Sequence, residues 1–289
     1  SMIDNKKITF IGPGAMAEGM IYGMINQDVT KADLIIAAGP RQERLDELAS
    51  LYGINTNTDN AEAASESDII ILAVKPQRLE RVLSGICGST KPGALLMSIV
   101  AGAAIEKISA ACGHDKVVRC MPNTPAQIGK GITVWTCSPQ VTVQQMDMAR
   151  EILLALGEEV LVEEEYYLDM ATAVSVTGPS YVFLFMEAIV DAGVQLGFQR
   201  RNAEKLVAQT VRGSVDYYQE REDPVHLARL RNEVTSPGGT SAAALYYLDK
   251  AGFRTAISRA IWAAYLRSQE LGIDAKSHPP DQTSSMNET

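Results

Sequence analysis

The chain of 289 residues is poor in the residues that most often carry acid–base, metal or disulfide chemistry. Its three histidines, His114, His226 and His278, are too scattered to build a metal cluster. Its four cysteines, at 87, 112, 120 and 137, include no Cys-x-x-Cys pair. In a chain of this size they form no disulfide framework and are expected to stay reduced. Basic residues are outnumbered, 26 Lys and Arg against 35 Asp and Glu, for a net charge of −9. Without a long basic run this excludes nucleic acid and anionic membrane as expected partners. Near the middle of the chain the longest apolar stretch, residues 94–105, contains Ser98 and falls short of the ~20 residues of a membrane span. The polar Asp4-Asn5-Lys6-Lys7 leads straight into a short apolar run, which is not a secretory signal, so a cytoplasmic location is expected.

What is present is an ordinary globular composition, 46% hydrophobic and 21% charged, with length for about two domains. Up to about residue 163, short apolar runs alternate with helical stretches: Ile8–Ile11, Leu34–Ala37, Asp68–Val74, Ala94–Val100 and Lys116–Cys120. Ile132–Cys137 and Glu159–Val162 finish the series. Such runs predict a parallel sheet covered on both faces, an α/β Rossmann-like domain over 1–163. Beyond Glu163 the pattern becomes successive helices, an all-α domain over 164–272, followed by a loose polar tail over 273–289. The continuously apolar Tyr181–Met186 predicts a helix buried on most sides, and burial against a second copy predicts a homodimer through this domain.

Gly12-Pro13-Gly14-Ala15-Met16-Ala17 follows the first strand and opens the first helix, a G-x-G-x-x-A form of the dinucleotide fingerprint. Gly12 makes the tight turn, Gly14 admits a pyrophosphate to the backbone, and Ala17 permits close helix–strand packing. The second strand ends Ala37-Ala38-Gly39-Pro40, without the acid that reads a ribose 2′-OH. Arg41 and Arg44 follow at once, and either could face a 2′-phosphate, so NADP(H) is favoured with NAD(H) as the alternative. Lys75, at a strand end, lies where open α/β sheets bind ligands, and Asn60, ahead of the helix before that strand, could reach the adenosine side. Met121-Pro122-Asn123-Thr124-Pro125 is expected to present Asn123 and Thr124 into the same cleft. In Thr235-Ser236-Pro237-Gly238-Gly239-Thr240-Ser241, Ser236 suits an N-cap and Pro237 the first helical position. The bare N–H groups of such a start, with the Thr240 and Ser241 hydroxyls beside them, suit a carboxylate. Glu158, Glu159, Glu163, Glu164 and Glu165 cluster around one strand; most should point to solvent, and no metal is expected.

In order and spacing, FIGPGAMAEGMI, LAVKPQ, RCMPNTPAQIGKGITVW, TGPSYVFLFMEAIVDAGVQLG and VTSPGGTSAAALYYLDKAGFR resemble pyrroline-5-carboxylate reductases, over about Lys7 to Leu271. The resemblance implies hydride transfer from NAD(P)H to the C=N carbon of 1-pyrroline-5-carboxylate, giving L-proline. It also implies a C-terminal dimerisation domain, with dimers that can assemble into decamers. By position it places Gly12, Pro13, Gly14, Ala15, Met16, Ala38, Arg41, Asn60, Ala73, Val74, Lys75, Pro76, Ala101 and Asn123 at the cofactor. Met121, Ser236, Gly238, Gly239, Thr240 and Ser241 fall at the substrate, with Thr240 and Ser241 as the expected catalytic pair. The chain departs from the family at Ala38-Gly39-Pro40, where Ser-Asn-Arg is usual, at Thr177 and Ser180, and at Ser241, where the family has Thr. A β-hydroxyacid dehydrogenase would share the first-domain pattern but, by its own family resemblance, needs a Lys early in the interdomain helix; none lies between Lys130 and Lys205. A non-catalytic nucleotide sensor on the same fold is the other alternative.

Overall fold

The computed structural model describes residues 1–272; the expected tail, 273–289, lies outside the described residues. Along the chain run β1 (Ile8–Ile11), α1 (Ala15–Asn26), β2 (Ile35–Ala38), α2 (Gln42–Tyr52), β3 (Asn55–Asn57), α3 (Asn60–Ser65) and β4 (Ile69–Leu72). Then come α4 (Leu79–Ile86), β5 (Leu95–Ser98), α5 (Ile105–Cys112), β6 (Val117–Met121), β7 (Gly131–Cys137), α6 (Val143–Leu154) and β8 (Gly157–Leu161). The helices α7 (Tyr167–Ala171), α8 (Gly178–Leu196), α9 (Arg200–Gln219), α10 (Leu227–Glu233), α11 (Thr240–Lys250) and α12 (Phe253–Leu271) follow.

The strands form one sheet in the order β3-β2-β1-β4-β5-β6-β7-β8. The order reverses direction between β1 and β4, the point where open α/β sheets bind ligands beyond the strand C-termini. Alternate side chains feed two cores. Phe10 packs with Met20, Leu45 and Ile69 on one face. Ile11 packs with Leu72, Leu83, Ile86 and Ile108 on the other. The expected all-parallel sheet is corrected at one place. β7 runs antiparallel to β6, with Met121 opposite Val134, because the short connection 122–130 returns the chain without a crossover helix. β8 is again parallel to β7.

Among the described residues the chain divides into two compact units, Ser1–Thr177 together with 264–272, and Gly178–Ala263. This division differs from the change of pattern near Glu163. Leu168 and Ala171 of α7 are buried in the first unit, and Asp169 accepts a hydrogen bond at 3.0 Å from Ser268 of α12. The second unit has a small core of its own, in which Val190 of α8 meets Ala203 and Val207 of α9.

The expectation that Tyr181–Met186 is buried on most sides is corrected for a single protomer: Phe183 is 61% exposed and Leu184 66%. The second unit has too few layers to cover α8. Tyr167–Leu196 is also long and apolar enough, by length and composition, to cross a membrane.

Candidate active site

The turn after β1 is shaped by contacts only glycine tolerates. Gly12 has φ +83°, and a Cβ there would fall 2.4 Å from Val74 Cγ1 and 2.8 Å from the Val74 backbone. Gly14 is the N-cap of α1 in an extended conformation, without a side-chain cap. A Cβ on Gly14 would meet nothing within 4 Å, so the backbone there faces open space. The Gly14 N–H donates to Gly12 O at 2.8 Å, and the first helical bond runs from Glu18 N to Gly14 O at 3.0 Å. The N–H groups of Ala15, Met16 and Ala17 therefore have no intrahelical acceptor and sit at the positive end of the helix. That is an anion cradle at the sheet's switch point.

A network that sequence reasoning missed holds this turn. Arg44 donates through Nε to Pro13 O at 3.0 Å and through a terminal nitrogen to Glu18 Oε2 at 2.7 Å. Tyr52 OH donates to Glu18 Oε1 at 2.8 Å. The hydrogen bond from Arg44, seconded by Tyr52, holds the Glu18 carboxyl below its usual value. Burial, and then the Glu18 contact, push the Tyr52 phenol up to about 12. The expectation that Arg44 could face a 2′-phosphate is thereby corrected: its fork is taken by Glu18, Glu47 and Pro13. Arg41, by contrast, is exposed at the N-cap of α2, beyond the end of β2.

Asn60 opens α3, and its Oδ1 is buried with no hydrogen-bond partner. A buried acceptor left unmet is costly unless something completes it. Lys75 and Pro76 are exposed just past β4, and Ala73 N is tied to Ile11 O at 2.8 Å. Ala101 is exposed in the loop between β5 and α5. Met121 ends β6 and is buried. Asn123 has a bracing role the sequence did not reveal: Nδ2 donates to Ser175 O at 3.0 Å and Oδ1 accepts from Ile132 N at 2.9 Å. The acidic cluster disperses: Glu159 accepts from Trp135 and Arg150, Glu165 accepts from Arg119, and Glu158, Glu163 and Glu164 are exposed. Among the described residues no group of three His, Cys, Asp or Glu could hold a metal.

In the second unit the helix start is corrected. The N-cap of α11 is Gly239, not Ser236. Gly238 has φ +73°, left-handed backbone that cannot continue a right-handed helix. Gly239 N is consumed by Ser236 O at 3.1 Å. The free first-turn N–H groups are thus those of Thr240, Ser241 and Ala242. A Cβ on Gly239 would lie 2.7 Å from Ser236 Oγ and 3.2 Å from Ser236 O, so a larger residue there has to displace the Ser236 side chain.

Comparison with known proteins accounts for both units. Residues 165–271 match the model described as pyrroline-5-carboxylate reductase dimerisation, and 7–102 match NADP oxidoreductase, coenzyme F420-dependent. A pyrroline-5-carboxylate reductase of Synechocystis is 41% identical over 267 residues, covering 92% of this chain and 98% of that protein. The chain belongs to the pyrroline-5-carboxylate reductase family. A solved reductase from Coxiella burnetii has 34% identity and a TM-score of 0.85, covering 92% of this chain and 98% of its own. One from Plasmodium falciparum, solved with NADP bound, has 32% identity and a TM-score of 0.82, covering 93% and 98%. Within the family's nucleotide-binding oxidoreductase fold, the turn at Gly12–Ala17 has the backbone its sequence calls for, whereas the start of α11 falls three residues later than Ser236 suggested. The pairing of Arg44 with Glu18 and Tyr52 escaped notice because a contact between α1 and α2 leaves no local spacing to read.

Proposed function

We propose that this chain reduces the C=N bond of 1-pyrroline-5-carboxylate to L-proline, with NADP(H) favoured over NAD(H). The observation that carries the reading is the 41% identity to a reductase across 98% of its length, spanning both units. The residues fit a dinucleotide: an open turn at Gly14, unpaired N–H groups at Ala15 and Met16, and a buried orphan acceptor on Asn60. Gly12, Pro13, Ala38, Ala73, Val74, Lys75 and Pro76 would line it, with Arg41 at a 2′-phosphate and Ala101 and Asn123 toward the reacting end. When bound, NADPH supplies the hydride that reduces the imine carbon.

The protein's share is positioning. A protonated cyclic imine is already electrophilic, so the site needs no strong general acid, and it offers none. The Thr240, Ser241 and Ala242 N–H groups and the positive end of α11 suit the substrate carboxylate. The Ser241 hydroxyl accepts from the iminium N–H, which stays on nitrogen as it becomes the product amine. Ser236, Gly238 and Gly239 shape the backbone around that helix start, and Met121 is the substrate residue proposed from the first unit. We place the substrate and dimerisation domain at 164–272. The exposed apolar residues of α8 are read as the interface of a soluble cytoplasmic homodimer, not a membrane span.

The test is direct. NADPH absorbance at 340 nm should fall on adding 1-pyrroline-5-carboxylate, with proline appearing in equal amount. Tight NADPH binding without turnover would favour the nucleotide-sensor alternative instead.

A further inference from the structure

The central buried cation of the sheet has a single described partner, and that partner also holds the end of a loop. Arg119 lies in the middle of β6, its side chain 7% exposed, in register with Ser98, the last residue of β5. Its terminal nitrogen donates to Glu165 Oε1 at 2.8 Å, while its buried Nε has no hydrogen-bond partner. The same Glu165 oxygen accepts the backbone N–H of Ile105 at 2.8 Å. Ile105 is the first residue of α5, and its N-cap, Ala104, has no side chain able to cap. Glu165 therefore caps α5 from a distance, where its negative charge also meets the positive helix end.

Between these anchors runs the loop 99–104. Its start is fixed by Ile99 N donating to Leu72 O at 3.0 Å and Val100 N donating to Ser98 Oγ at 3.2 Å. Its end is fixed by Glu165. Two residues beyond Arg119, β6 ends at Met121. One carboxylate thus ties together two segments, the loop carrying Ala101 and the strand carrying Met121.

We propose that Arg119 and Glu165 form a positioning pair for hydride transfer, setting the loop at Ala101 against the strand end at Met121. The inference rests on the reading above, in which those two residues border the reacting end of the cofactor. Neither side chain of the pair is a catalytic residue. Displacing a reacting geometry by about 1 Å can cost up to about a hundredfold in rate, whereas cofactor affinity on the reading above is anchored at the Gly12–Ala17 turn, which neither Arg119 nor Glu165 belongs to.

The test compares the wild-type protein with Glu165→Ala and Glu165→Gln. The glutamine keeps an acceptor for Ile105 N–H but loses the charge facing Arg119. We expect kcat to fall about tenfold in Glu165→Ala and less in Glu165→Gln. The NADPH dissociation constant, read by fluorescence, should stay within about twofold of wild type. The primary isotope effect on kcat with NADPH deuterated at the transferred position should rise as the chemical step becomes more limiting. An unchanged kcat and isotope effect in Glu165→Ala overturn the proposal. So does a loss of kcat matched by weaker NADPH binding at an unchanged isotope effect, which marks a general brace of the fold. Wild-type turnover separates the two readings: an inactive wild type overturns the substrate assignment and this inference with it, while an active wild type with an unaltered Glu165→Ala overturns the positioning role alone.

Discussion

Arg44 Nε donates to the carbonyl of Pro13 at 3.0 Å, so a side chain of the second helix holds the peptide at the centre of the glycine-rich turn. The guanidinium stays there because Glu18, on the first helix, accepts its other arm and Tyr52 supports Glu18 from the far end of α2. The turn is thus preorganised by a cross-helix network before any nucleotide arrives. It also divides labour between two arginines, leaving Arg41 exposed at the strand end.

Removing the support should loosen the turn without changing cofactor preference. Tyr52→Phe deletes one hydrogen bond to a charged group, and a loss of about 1.5 kcal/mol of stability is expected. NADPH and NADH should weaken alike, by a few-fold, in calorimetric titration. The pH dependence follows from the depressed Glu18 carboxyl. Its contribution is full above the ordinary value of 4.5 and is lost as the pH falls through its lower folded value. Glu18→Gln should therefore lower the urea midpoint at pH 7, and its deficit against wild type should shrink below about pH 4.5.

Arg41 should behave in the opposite way. Arg41→Ala should raise KM for NADPH about thirtyfold, the equivalent of about 2 kcal/mol for a charge-assisted phosphate contact, and leave NADH nearly unchanged. Equal effects on both cofactors in initial-rate kinetics would remove the 2′-phosphate assignment.

The chemistry of the apolar strands was legible because they are buried on both faces. Ile69–Leu72 reads as a strand in any context. Asn55-Thr56-Asn57 does not, since an edge strand paired only with β2 has no core to declare itself by. The start of α11 was misplaced for a different reason. Ser236-Pro237 is a good local cap-and-first-turn signal, but the left-handed Gly238 breaks the chain direction and moves the start to Thr240. Glu165 read as one member of an acidic run, because its partner Arg119 is 46 residues away and buried in a central strand.

The exposed face of α8 gives a prediction about assembly. Phe185 is 45% exposed in one protomer. If a second copy covers it, Phe185→Asp buries an unpaired charge at a cost of several kcal/mol. Light scattering should then report a monomer, or the protein should become insoluble. A soluble protein of unchanged mass would place the interface elsewhere.

Ser241 is the most direct probe of substrate recognition. It is the second residue of α11, so its own N–H is one of the free first-turn donors, and its hydroxyl stands beside them. The N–H survives any substitution other than proline; the hydroxyl does not. On the proposed reading, Ser241→Ala therefore separates the hydroxyl's contact to the substrate nitrogen from the backbone N–H groups offered to the carboxylate. One hydrogen bond to a charged group is worth ~1.5–3 kcal/mol, or roughly ten- to 150-fold in kcat/KM. The NADPH dissociation constant should not move, because the proposed role of this hydroxyl is toward the substrate and not the cofactor phosphates. Ser241→Thr should stay near wild type, since threonine keeps the hydroxyl and adds only a methyl group. Full kcat/KM in Ser241→Ala would show that the backbone at the head of α11, without the hydroxyl, is sufficient for recognition.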